Sequence, residues 1–258
     1  MLTEILTGGI TSFENGLRVI LIRSNTVPAP ETFISEREIE KFSSIKIEKR
    51  RRDWLGGRYA AKILLRESGT QTPLRDIAIS YDRFGRPVAG SGGATRLISI
   101  THSGPFCAAA CAREDANFLG IDLEKTEPRH EAWYKDYFHA AELAPAAAIS
   151  HTPDAISQNK ETPEKAYGLW HTASTGGNML PVDLATRIWT QKEALLKALG
   201  LGLKADPLDI NLTGGSPEFS RAALERYKEL GRPPFTLRTF ETIPDYLFSL
   251  VWQRTAGK

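Results

Sequence analysis

The chain has 258 residues, 41% of them hydrophobic and 25% charged, with a formal net charge of only +2. This describes a globular protein long enough for one large or two small domains. It implies no strong polyelectrolyte partner overall, so no nucleic acid is expected, although a mildly basic chain can still carry local basic clusters. No apolar stretch is long enough to span a bilayer, so no membrane partner is expected. Met1 to Ile10 has neither the basic start nor the apolar run of a secretory signal, and the cytoplasm is the expected location.

Leu17 to Arg23 reads as a strand with Leu17, Val19 and Leu21 on one face. Ser35 to Glu48 and Asp53 to Glu67 read as helices, the second presenting Leu55, Tyr59 and Ile63 at helical spacing. Strands are expected at Ile77 to Tyr81, Leu97 to Thr101, Cys107 to Ala112 and Phe118 to Glu124. Cys107 and Cys111 share one strand face, roughly 13 Å apart, too far for a disulfide, and are expected as buried free thiols. Residues 144–181 are rich in Ala, Ser, Thr, Pro and Gly with little periodicity and read as a long insertion. Beyond them come a helix from Arg187 to Leu199, a strand at Asp209 to Leu212 and a helix around Phe219 to Leu230. Strands follow at Phe235 to Phe240 and Tyr246 to Trp252.

Two stretches echo each other. Lys62 stands eight residues after Trp54, and Lys197 eight residues after Trp189. Each is followed by a Pro-Leu segment ending in Asp-Ile, at Pro73 to Ile77 and Pro207 to Ile210. Two amphipathic helices can agree by chance, but the matched downstream segments favour an internal duplication. Two such halves, residues 1–117 and 118–258, would leave a cleft between them, a common place for a ligand.

Asp122 and Glu124 in Gly120 to Glu124 are two apart in a strand and project from one face, with Ile121 and Leu123 packing on the other. Two carboxylates so close repel unless a cation lies between them, and oxygen donors suit Mg²⁺. Two solvated acids at a strand end would look the same. Glu193 and Lys197 are one helical turn apart, as a surface ion pair would be. Beside a metal they would instead supply a base and a phosphate-neutralising cation. Thr101, His102 and Ser103, before Gly104, can hydrogen-bond phosphate or simply close a turn. A Ser/His pair raises a hydrolase, but no Gly-x-Ser-x-Gly elbow is present. The basic run Lys49 to Arg52 opposes the dipole of the helix it precedes, which hints at an anionic ligand. Gly85, Arg86 and Pro87 read as a turn with Arg86 free to meet a phosphate.

In order, Arg50 to Arg58, Gly85 to Pro87, Ile100 to Ser103, Gly120 to Glu124, Phe138 to Glu142 and Trp189 to Lys197 resemble the motifs of the Sfp-type 4′-phosphopantetheinyl transferase family. Thr101 stands where the family usually has Ser, which keeps the hydroxyl. The resemblance implies an α+β protein, a pseudo-twofold pair of α/β-like halves with the active site in the cleft between them. It implies a monomer moving phosphopantetheine from coenzyme A to a serine of an acyl or peptidyl carrier protein, with release of adenosine 3′,5′-bisphosphate. Asp122, Glu124 and Glu193 match the acids that hold Mg²⁺, which Mn²⁺ can replace. Glu193, Lys197 and Asp122 match the catalytic set, Glu193 as the base. Arg52, Gly85, Arg86, Pro87, Thr101, His102 and Lys197 match contacts to coenzyme A. Other metal-dependent phosphoryl or nucleotidyl transferases, and a non-catalytic coenzyme A-binding protein, are the competing readings. Trp133, Tyr137 and Phe138 form an aromatic stretch that serves either the core or carrier docking.

Overall fold

The computed structural model describes residues 9–13, 16–66, 72–91, 94–114, 116–142, 172–175 and 178–254. The N-terminal part contains β1 (Ile10–Ser12), β2 (Arg18–Arg23), α1 (Glu36–Ser44), α2 (Glu48–Arg66), β3 (Ser80–Tyr81), β4 (Pro87–Ser91), β5 (Ala94–Ser103) and β6 (Phe106–Cys111). The rest contains β7 (Leu119–Lys125), α3 (Glu131–Tyr137), β8 (Thr172–Thr175), β9 (Asn178–Pro181), α4 (Val182–Ala198), β10 (Ile210–Asn211), β11 (Glu218–Phe219), α5 (Arg221–Glu229), β12 (Phe235–Ile243) and β13 (Tyr246–Gln253). The class is α+β, as expected from sequence. The larger sheet runs β1-β2-β6-β5-β4-β3 and a second runs β12-β13-β7, every pairing antiparallel.

The period of two in the strands assembles the layers. Val19 and Leu21 of β2, Ala108 and Ala110 of β6, and Leu119, Ile121 and Leu123 of β7 fill the space between the sheets with Phe248 and Leu250. Ile20, Ile22, Cys107, Ala109 and Cys111 face the other way, onto Ala60, Ala61 and Leu64 of α2. Val251 and Phe118 pack outward on Ala194, Leu195 and Ala198 of α4. The order of layers is therefore helix, sheet, sheet, helix. Both cysteines are buried and free, as expected.

The larger sheet and the three-stranded sheet share a connectivity. In each, a first strand (β2 or β7) leads into the long helix, and the next two long strands return so that the last lies beside the first. Every strand of the larger sheet precedes residue 118, and every strand of the three-stranded sheet follows it.

Several expectations shift. The core face of α2 is Gly56, Gly57, Ala60, Ala61 and Leu64, while Leu55, Tyr59 and Ile63 are only half-buried. Small side chains let the helix lie close on β6, and their low apolarity hid that face. The helix starts at Glu48, so Lys49 to Arg52 is its first turn and not a preceding segment. Ile77 to Tyr81 is strand only at its last two residues, and Phe219 closes β11 before α5 begins. Pro87, expected in the turn with Gly85 and Arg86, instead opens strand β4, which runs to Ser91. Most of the 144–181 segment lies outside the described residues, apart from the β8–β9 hairpin. Among the described residues no helix is long and apolar enough to cross a membrane.

Candidate active site

On β7, Gly120, Asp122 and Glu124 turn toward α4 while Ile121 and Leu123 are fully buried behind them. Gly120 is required by the closeness of that helix: a Cβ there would stand 1.9 Å from the Ala194 carbonyl oxygen. Glu193 and Lys197, one turn apart on α4, come down over this strand. Lys197 Nζ donates to Asp122 Oδ1 at 2.7 Å and to Thr101 Oγ1 at 3.2 Å. The Thr101 hydroxyl donates to the same Asp122 oxygen at 2.9 Å.

Thr101 also joins the sheets. β7 is an edge strand, and its outward amides at Ile121 and Leu123 donate to Ser99 Oγ at 2.9 Å and Thr101 Oγ1 at 3.3 Å. Side-chain hydroxyls from β5 thus satisfy an edge that would otherwise be bare. The same Thr101 oxygen holds strand, carboxylate and lysine in one cluster.

The electrostatics follow from burial. Asp122 is 4% exposed and Glu193 7%. Burial lifts Glu193 to a pKa of about 7, with Lys197 pulling it down and Asp122 and Glu124 pushing it up. Glu124 is raised too, by burial and then by Asp122, against the pull of Arg129. Burial works to deprotonate Lys197, but Asp122 and Glu193 outweigh it and raise its pKa, so it stays charged.

Asp122 Oδ2 is buried without a hydrogen-bond partner. An orphaned carboxylate oxygen, beside two glutamates that burial and the Asp122 charge both push up, fits a hard divalent cation. Among the described residues, however, no three His, Cys, Asp or Glu side chains stand close enough to ligate one ion. Glu124 accepts from Arg129 Nη2 at 2.9 Å and from the Trp189 indole at 3.3 Å. Of the expected trio, Glu124 is held by an arginine and an indole, and the three acids form no ready cage. Arg129 escaped the sequence reading, although it lies only five residues beyond Glu124.

The residues expected to contact coenzyme A divide. The His102 ring is half-exposed, with Nδ1 3.6 Å from the Asp53 carboxylate. Burial lowers its pKa against the pull of Asp53, so it is neutral at pH 7. Arg52 is exposed on α2 next to Asp53. Asp53, itself paired with Lys49 at 3.1 Å, was not anticipated from sequence. Gly85, at φ +80°, completes the turn before Pro87 opens β4. Arg86 is not free, contrary to expectation. It is 6% exposed, its Nε donates to Asp82 at 2.8 Å, and Nη1 donates to the carbonyls of Asn117 and Ala198. The turn carries its own counter-ion four residues upstream, and the guanidinium ties that turn to the C-terminal end of α4, where a cation suits the helix dipole.

The aromatic stretch belongs to the core. Tyr134 and Phe138 are buried with Ile188 and Trp189, and Trp133 and Tyr137 pack against the Trp189 ring at centroid distances of 5.5 and 4.9 Å. This cluster backs the indole that holds Glu124.

The sequence model of the 4′-phosphopantetheinyl transferase superfamily matches residues 118–236, which include Asp122, Glu124, Glu193 and Lys197. A holo-[acyl-carrier-protein] synthase of Staphylococcus carnosus (strain TM300) is 31% identical over 105 residues, 39% of this chain and 89% of that protein. The crystal structure of a Thermotoga maritima holo-[acyl-carrier-protein] synthase is 19% identical and covers 51% of this chain and 76% of that one. Its TM-score of 0.32 is too low to carry fold or function across. The family match and the Staphylococcus relative, nearly all of whose length is covered, establish that this chain belongs to the 4′-phosphopantetheinyl transferase superfamily.

Proposed function

We propose that the protein transfers 4′-phosphopantetheine from coenzyme A to a serine hydroxyl of an acyl carrier protein. The observation that carries this reading is the cluster formed by Lys197, Asp122 and Thr101 with Glu193 one helical turn before the lysine. The serine oxygen attacks the phosphorus that bears the pantetheine arm, the pyrophosphate P–O bond breaks, and adenosine 3′,5′-bisphosphate leaves. Glu193 takes the serine proton, directly or through a water. Lys197, kept charged by Asp122, compensates the negative charge that grows on the departing phosphate.

Asp122 and Glu193 would hold Mg²⁺, or Mn²⁺ in its place, with Glu124 joining them if it leaves Arg129. The ion would supply charge compensation on the pyrophosphate oxygens. His102 and Arg52 are assigned to the nucleotide end of coenzyme A, where neutral His102 can donate a hydrogen bond and exposed Arg52 can pair with a phosphate. Gly85, Arg86 and Pro87 serve by fixing the end of α4 beside Lys197. We assign the enzyme to the cytoplasm as a monomer, and its two free buried thiols agree with a reducing compartment.

Product analysis tests the reading. With coenzyme A, Mg²⁺ and an apo acyl carrier protein, adenosine 3′,5′-bisphosphate should accumulate in step with loaded carrier. Free 4′-phosphopantetheine without loaded carrier would make the protein a hydrolase, and any other nucleotide product would make it a different phosphoryl or nucleotidyl transferase.

A further inference from the structure

Glu142, just beyond α3, is 2% exposed, and Lys192 of α4 is fully buried. Lys192 Nζ donates to Glu142 Oε2 at 2.7 Å and to the Tyr137 carbonyl at 2.9 Å. The same carboxylate accepts from the His139 amide at 2.8 Å and, through Oε1, from the Leu212 amide at 2.9 Å. One side chain thus closes the end of α3, the middle of α4 and the segment after β10 onto each other.

The N-terminal half holds a twin of this clamp. Lys62 Nζ of α2 donates to Glu38 Oε2 at 2.5 Å and to the Phe33 carbonyl at 2.8 Å, and the Ser35 amide donates to that same Oε2 at 2.9 Å. In both clamps the carbonyl belongs to the residue five before the glutamate and the amide to the residue three before it. By its contacts Lys62 therefore corresponds to Lys192 and not to Lys197, which moves the register of the sequence echo. The next residue on each helix differs: Ile63 after Lys62, but Glu193 after Lys192.

Successive residues of an α-helix point about 100° apart. Fixing Lys192 into the α3 side therefore fixes the direction of Glu193, and with it Lys197 one turn on. A buried ion pair adds little stability that an apolar pair of equal volume would not, and in some proteins its role is to select one geometry. We infer that Glu142 is a positioning residue for the transfer, acting through Lys192 to set the rotation of α4 so that Glu193 and Lys197 face β7. This rests on the roles proposed for Glu193 and Lys197 in the transfer. The Glu38 clamp, in a helix without a catalytic acid, is its internal control.

The test compares Glu142→Gln with Glu38→Gln. Both should lower Tm. Only Glu142→Gln should lower kcat, by about 100-fold per folded enzyme, with KM for coenzyme A and for carrier within about twofold of wild type. Glu38→Gln should keep kcat within about twofold, and Glu142→Asp should recover part of the loss. Hydrogen exchange across residues 189–197 should quicken in Glu142→Gln and not in Glu38→Gln. Equal kcat in the two variants, or unchanged exchange at 189–197, overturns the inference. If Glu142→Gln does not fold, Lys192→Arg, which keeps the charge but displaces the group, must show the same kcat loss at unchanged KM or the inference falls. A wild type that loads no carrier refutes the assigned function instead, and the exchange comparison then decides the clamp alone.

Discussion

Lys197 Nζ and Asp122 Oδ1 meet at 2.7 Å between α4 and β7, and the Thr101 hydroxyl from the other sheet binds both. The pair is the point where helix, both sheets and chemistry coincide. Lys197→Met keeps the packing of the stem and removes the charge, leaving Asp122 with Thr101 alone. Turnover should fall about 100- to 1,000-fold, the range seen when one donor to a developing oxyanion is removed. Circular dichroism should stay that of the wild type. Near-normal turnover would take Lys197 out of the reaction.

Gly120→Ala should separate α4 from β7. The added Cβ would lie 1.9 Å from the Ala194 carbonyl and 2.8 Å from the Ala198 amide nitrogen, both backbone atoms that cannot rotate aside. Overpacking of this kind costs about 1–3 kcal/mol or more. Urea unfolding should show that loss together with a lower kcat. A variant of wild-type stability would mean that the helix is not seated where the structure puts it.

Arg52 and Arg86 should behave as opposites. Arg52→Ala and His102→Ala should weaken coenzyme A binding by roughly 1.5–3 kcal/mol each, about 10- to 150-fold, with little change in Tm. Arg86→Met should lower Tm, since it leaves the Asn117 and Ala198 carbonyls without their donor, and should leave coenzyme A affinity of the folded protein unchanged. Calorimetric titration beside thermal melts separates the two classes. An Arg86→Met protein of normal Tm with weakened binding would restore that residue to the phosphate site.

Alkali should destabilise the fold through Cys107. Burial, then the Asp53 carboxylate, raises its thiol from 9.0 to about 12. The folded state therefore keeps a proton that the unfolded state releases, so stability is intact below pH 9 and is lost as pH rises from 9 towards 12. By pH 10 the loss should be about 1.4 kcal/mol from this one group. Urea midpoints between pH 8 and 10 should fall in the wild type and fall less in Cys107→Ala. Identical slopes would mean the thiol is not buried as described.

How much of this was legible depended on the range of each interaction. Asp122 and Glu124 were readable because a strand's period of two is local, and Glu193 with Lys197 because a helical turn is local. Their convergence needs Gly120, whose role as the seat of α4 is invisible until the helix is in place. The α2 face was misread because glycine and alanine carry close packing without apolar signal. Strand β4 was not legible because Pro87 to Ser91 carries no alternating apolar pattern. Arg86 was misjudged because the Asn117 and Ala198 carbonyls that bury it are distant in sequence, whereas Arg129 was missed although Glu124 is only five residues away. The insertion at 144–181 was named from composition, and most of it falls outside the described residues.

The central claim is tested most directly by the intact mass of an apo acyl carrier protein after incubation with this enzyme, coenzyme A and Mg²⁺. Wild-type enzyme should add the mass of one phosphopantetheine to a single serine. Glu193→Gln, the same size without the carboxylate, should leave the carrier unmodified over the same time, and so should wild type with the metal chelated. A carrier left at its apo mass by wild-type enzyme, or one loaded as fast by Glu193→Gln, would contradict the account.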